Sequence, residues 1–169
     1  MKKKTISTET LTIMAIYCAL FVVLDRISDT LNLFQMASGG KLNFGPIALL
    51  ICSYHLGHRN GLLVGFVSVF LQLAIGSVGF YGIWSFVLDY LIAYSVYGLA
   101  SLFPNYKYFY SGILITSLIR LLSSTISGTL LWETPFMASL TYNATYMIPT
   151  TICAIIFVPL LCERLKNVW

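Results

Sequence analysis

The stretch Ile83-Trp-Ser-Phe-Val-Leu-Asp89-Tyr-Leu-Ile-Ala-Tyr-Ser-Val-Tyr-Gly-Leu-Ala-Ser-Leu-Phe103 decides the fold class. As a helix rising 1.5 Å per residue it is long enough to cross ~30 Å of hydrocarbon, and Asp89 is its one charged residue. A carboxylate left unpaired in lipid costs a few kcal/mol or more, so the helix must turn Asp89 toward other helices. The whole chain shares this character: of 169 residues, 58% are apolar and only 9% charged, with a mean hydropathy of +0.84. A soluble domain needs roughly a quarter charged residues to hydrate its surface. Most of this surface therefore faces lipid, which excludes a disordered chain, a secreted disulfide scaffold and a cytosolic enzyme.

Working outward, apolar runs occupy Leu11–Leu24, Pro46–Leu56, Gly61–Ile75, Tyr108–Leu131 and Thr145–Leu161, joined by short polar or Gly/Pro-bearing connections. With Ile83–Phe103 they predict an all-α integral membrane protein: a six-transmembrane-helix bundle forming a single membrane-embedded domain over residues 1–169. The second and third runs are shorter than the ~20 residues a span needs and are expected to borrow flanking residues or be shielded by neighbours. The Lys-rich start is read as leading into the first helix, because no small-x-small cleavage site follows it. Placing that end in the cytoplasm puts Lys2, Lys3, Lys4, Arg59, Lys107, Arg164 and Lys166 inside and only Arg26 and Lys41 outside, so both termini are expected to be cytoplasmic. The net charge of +4 has no basic stripe or aromatic interleaving behind it and does not indicate nucleic acid. Cys18, Cys52, Cys153 and Cys162 sit in or beside apolar runs without metal-ligand spacing and read as small hydrophobes.

Asp89 and Arg120 are the two charges well inside apolar runs. In this orientation Asp89 lies about 9 Å below the outer surface. The fifth run brings Arg120, Ser123, Ser124, Thr125 and Ser127 up to Trp132, and the sixth begins with Tyr142, Asn143 and Tyr146. A carboxylate, an amide and aromatic rings at one depth suit a small, flat, polar or cationic ligand. The plainer alternative is an Asp89–Arg120 ion pair tying two helices together, with Trp132, Tyr142 and Tyr146 in the interfacial aromatic belt. Asn143-Ala-Thr145 matches a glycosylation sequon, to which its closeness to the membrane gives little weight. The chain has no phosphate-binding GxxxxGK loop and no HExxH motif, so ATP-driven transport would need another subunit. Ala15 and Ala19 form a small-xxx-small pair that lets a second helix approach closely.

The string Ser139-Leu-Thr-Tyr-Asn-Ala-Thr-Tyr-Met-Ile-Pro149, with Leu88-Asp-Tyr-Leu-Ile-Ala93, Ala15-xxx-Ala19 and Ile126-Ser-Gly128, closely resembles the thiamine-specific S-components of energy-coupling factor transporters. The resemblance covers nearly the whole chain. It implies a multi-pass protein of the bacterial plasma membrane that captures a vitamin from outside. It also implies docking, through Ala15 and Ala19, on a membrane subunit driven by two ATPases, with no cofactor. It places the acidic ligand residue on Asp89, the neighbouring ring on Tyr90, the stacking tryptophan on Trp132, the amide on Asn143 and a basic position on Arg120. Tyr81 and Phe34 stand where loop aromatics are expected, and Tyr142 and Tyr146 flank Asn143. Ser124 replaces a histidine of the family pattern and Ala138 a tyrosine, which removes ring area and hydrogen bonds.

Thiamine is thus the leading ligand, with hydroxymethylpyrimidine or a vitamin B6 form as the rival. Two other classes stay open: a stand-alone secondary transporter using Asp89 as its ion site, and a membrane enzyme built on Asp89 and the Ser123/Ser124 pair.

Overall fold

A computed structural model of the chain describes residues 7–36, 39–76, 79 and 81–166; Lys2, Lys3 and Lys4, on which part of the expected orientation rests, lie outside them. Ser7 opens α1 (Thr8–Leu31), its hydroxyl accepting the Thr10 amide at 3.1 Å, and Asn32 closes it in the left-handed conformation. Met14, Cys18, Phe21, Asp25 and Ser28 lie on the buried side of α1, three and four residues apart, so one face stays against the bundle for the helix's whole length. α2 (Gly45–Leu56) has Pro46 in its first turn, where no amide donor is needed. Gly57, at φ +81°, turns the chain directly into α3 (His58–Ile75).

α4 (Ile83–Leu102) changes pitch along its length. It is π-helical over Phe86–Ile92 and tightens to a 3-10 helix over Val96–Leu102. A hairpin of β1 (Asn105–Tyr106) and β2 (Phe109–Tyr110) leads into α5 (Ser111–Leu131). α6 (Phe136–Leu165) follows Pro135 and contains Pro149 and Pro159.

Helix α2 sits innermost, with nine of its 12 residues buried. The backbones of α3 and α4 touch at Gly61 and Gly98, since a Cβ at Gly98 would collide with the Gly61 main chain. Phe21, Leu49, Leu50, Val64, Val69, Tyr97 and Ile113 fill the centre. Apolar side chains also cover the outside: Leu63, Phe66 and Phe70 on α3, Leu118 and Leu122 on α5, and Ile148, Ile152 and Ile156 on α6. Such rows, spaced three or four apart and facing outward, are the surface a lipid solvent selects.

Among the described residues, five helices are long and apolar enough to cross a membrane: α1, α3, α4, α5 and α6. The helix matching the second expected span, α2, has 12 residues, about 18 Å at the α-helical rise. Its burial among neighbours replaces the length it lacks. α1 and α6 extend well beyond Leu11–Leu24 and Thr145–Leu161, because polar residues that interrupt the apolar pattern face the bundle interior there.

Candidate functional site

The C-terminal ends of α1, α3 and α5 and the N-terminal ends of α4 and α6 converge at one end of the bundle. Between them lies a cavity of about 760 Å³, within the usual range for small-molecule sites. Two loops reach over it. The Gly40 amide donates to the Tyr142 hydroxyl at 3.1 Å, and the Gly79 amide donates to the Tyr90 hydroxyl at 3.1 Å. Gly40 must be glycine to pass this close, since a Cβ there would strike the Tyr146 ring.

The π-helical segment of α4 carries Asp89 and Tyr90 into the cavity. The Ser123 hydroxyl of α5 donates to the Leu88 carbonyl at 2.7 Å, supporting the irregular backbone. Asp89 Oδ2 accepts from Ser85 at 3.0 Å and from Ser127 at 2.6 Å. Both hydroxyls fall on that one oxygen, and Oδ1 takes neither. On α6 the Tyr146 hydroxyl donates to Asn143 Oδ1 at 2.6 Å, while Asn143 Nδ2 donates to the Ser139 carbonyl at 2.9 Å. At the rim Tyr81 meets Trp132 edge to face, with centroids 5.0 Å apart.

The Asp89–Arg120 ion pair is not formed. Arg120 instead lies over the Tyr94 ring, 4.5 Å from its centroid, and donates to the hydroxyls of Tyr94 at 3.3 Å and Tyr97 at 3.4 Å. The ion pairs among the described residues both involve Asp29, with Arg26 and with Lys41. Burial lowers the Lys41 pKa from the ordinary lysine value, with Asp25 pulling the other way and Arg26 adding to the fall.

Asp89, Tyr90, Arg120, Ser124, Trp132, Tyr142, Asn143, Tyr146 and Tyr81 all line this cavity. Phe34 does not. It occupies a left-handed backbone position in the loop after α1 with its ring exposed, because α1 runs on to Leu31 and the turn beyond it directs the chain outward. Ala15 and Ala19 lie on the exposed side of α1.

Sequence reading missed Asp25, Lys41, Asn43, Gln72 and Tyr94, which also line the cavity. Asp25, Asn43, Gln72 and Tyr94 are all buried. Asp25 was detectable: it falls four residues after Phe21 and three before Ser28, in step with the buried face of α1. Two buried polar atoms on residues that line the site, Gln72 Oε1 and Arg120 Nε, have no hydrogen-bond partner among the described residues.

The sequence profile of the family described as thiamine transporter protein (Thia_YuaJ) matches residues 11–169. The thiamine transporter ThiT of Bacillus subtilis is 30% identical in an alignment 165 positions long that covers 85% of this chain and 85% of that one. A solved structure of ThiT from Listeria monocytogenes superposes with a TM-score of 0.77, covering 95% of this chain and 98% of that one at 15% identity, and so shares its fold. With helices suited to lipid and a cavity at one end of the bundle, the chain is a multi-pass cell-membrane protein belonging to the thiamine transporter family.

Proposed function

We propose that this protein is the substrate-capture S-component of an ATP-driven energy-coupling factor importer and that it binds thiamine from the extracellular side. The carrying observation is the convergence of Asp89, Tyr90, Trp132 and Asn143 on one cavity of about 760 Å³. Thiamine joins an aminopyrimidine to a thiazolium ring with a fixed positive charge. Flat rings stack on aromatic faces, Asn143 and Gln72 offer amide groups to the aminopyrimidine, and Asp89 offers a carboxylate to the cation.

The cavity end is the extracellular end in this reading, with six passages through the membrane and both termini in the cytoplasm. Arg59, Lys107, Arg164 and Lys166 at the opposite end of the bundle support that orientation. Ala15 and Ala19, exposed on α1, form the docking face for the membrane subunit, which couples to two ATPase subunits.

Calorimetric titration of the purified protein with thiamine, hydroxymethylpyrimidine and pyridoxine tests the assignment. Thiamine is expected to bind the tightest of the three. Absence of thiamine binding sinks the assignment, and tighter binding of either other compound reassigns the site to it.

A further inference from the structure

Arg120 poses an electrostatic problem for a cavity that takes a cation. The residue is 5% exposed, and no carboxylate among the described residues forms an ion pair with it. A buried positive charge of this kind repels a cationic ligand unless something nearby cancels it. The four charged residues lining the cavity are Asp25, Lys41, Asp89 and Arg120. Lys41 shares Asp29 with Arg26, and Asp89 takes its hydrogen bonds from serine hydroxyls. That leaves Asp25.

Asp25 is 3% exposed and reaches Arg120 through two side chains. Asn43 Nδ2 donates to Asp25 Oδ1 at 2.7 Å and to the Tyr94 hydroxyl at 3.1 Å. The same Tyr94 oxygen accepts from Arg120 Nη2 at 3.3 Å. The relay is rigid. Asn43 Oδ1 accepts from the Gly45 amide at 2.7 Å, its own amide donates to Thr150 at 3.1 Å, and Phe21 packs edge to face on Tyr94. Five helices and one loop thus hold a carboxylate and a guanidinium at the two ends of one hydrogen-bonded chain.

We propose that Asp25 is a specificity-determining residue that acts as the relayed counter-ion of Arg120 and lets the cavity accept a positively charged ligand. Lys41 and Arg26 share Asp29, and Asp25 stands at the far end of the hydrogen-bonded chain from Arg120, so the carboxylate of Asp89 stays available to the ligand. Replacing Asp25 by a neutral residue exposes the ligand to the full field of Arg120. The ligand half of this inference rests on the thiamine reading; the counter-ion half does not.

The experiment therefore has two arms, each with Asp25→Asn, Asp25→Glu, Arg120→Gln and the double variant D25N/R120Q. The ligand-free arm records melting temperatures in detergent. Each neutralising single variant is expected to melt several degrees below wild type, and the double variant well above the sum of the two losses. Additive losses overturn the counter-ion assignment. The binding arm compares thiamine with neutral hydroxymethylpyrimidine. D25N is expected to weaken thiamine about tenfold or more and hydroxymethylpyrimidine less than about threefold, while Asp25→Glu retains the preference. Equal weakening of both ligands makes Asp25 merely structural and overturns the proposal. If wild type binds no thiamine, the functional reading fails, and the melting cycle alone decides whether Asp25 balances Arg120.

Discussion

Asp89 Oδ2 carries two serine hydroxyls and Oδ1 neither, so the carboxylate is oriented by α4 and α5 before any ligand arrives. A charge-assisted contact to a thiazolium is worth about 1.5 to 3 kcal/mol. Asp89→Asn is accordingly expected to weaken thiamine about 10- to 150-fold while sparing hydroxymethylpyrimidine, which calorimetry on the folded variant measures. Undiminished thiamine binding removes Asp89 from the site. The sequence made Asp89 conspicuous because apolar residues surround it on both sides. Asp25 was hidden for the opposite reason: Arg26 and Asp29 follow it, so the apolar run seems to end at Leu24. Only the spacing of Met14, Cys18, Phe21 and Ser28 shows that the buried face continues through Asp25. Phe34 was misplaced because the position of an aromatic in a loop depends on where the preceding helix stops.

At the scale of elements, hydropathy locates the six helices and several of their ends, Leu56, Ile75, Ile83 and Leu131 among them, but stops α1 seven residues short and starts α6 nine residues late. The last apolar run begins only at Thr145, although Pro135 marks a helix boundary before Phe136. Ser139, Thr141, Tyr142 and Asn143 broke the apolar signal, and Ser139 and Asn143 are buried as site lining. The pitch changes of α4 left no trace in residue type, since π and α turns use the same side chains. α1 presents Ala15 and Ala19 outward over the length expected of a helix-docking face. Replacing both with Trp is expected to abolish thiamine uptake by the assembled transporter and leave thiamine binding by the isolated protein within about twofold, because bulk there blocks close helix approach far from the cavity. Vesicle uptake assays beside calorimetry check this, and unchanged uptake removes α1 as the docking surface.

For the molecule as a whole, the charge distribution makes a topological prediction. Leu33 lies in the loop at the cavity end and Lys107 in the hairpin at the other. In intact cells a membrane-impermeant maleimide is expected to label Leu33→Cys, and Lys107→Cys only after permeabilisation. The native cysteines interfere little, since Cys18, Cys52 and Cys162 are buried and Cys153 is half-buried. The reverse labelling pattern inverts the protein and turns the cavity to the cytoplasm. The π-helical segment of α4 bears on the same question of what aims the site. A π turn accommodates one residue more than the α-helical path. Were the same residues wound as α-helix throughout, Asp89 would swing by about 100° relative to Tyr94. Its carboxylate would leave Ser127, although no residue that touches the ligand had been replaced. Helical pitch here works as a ruler, and a change of winding within α4 would retarget the site more thoroughly than most substitutions within it.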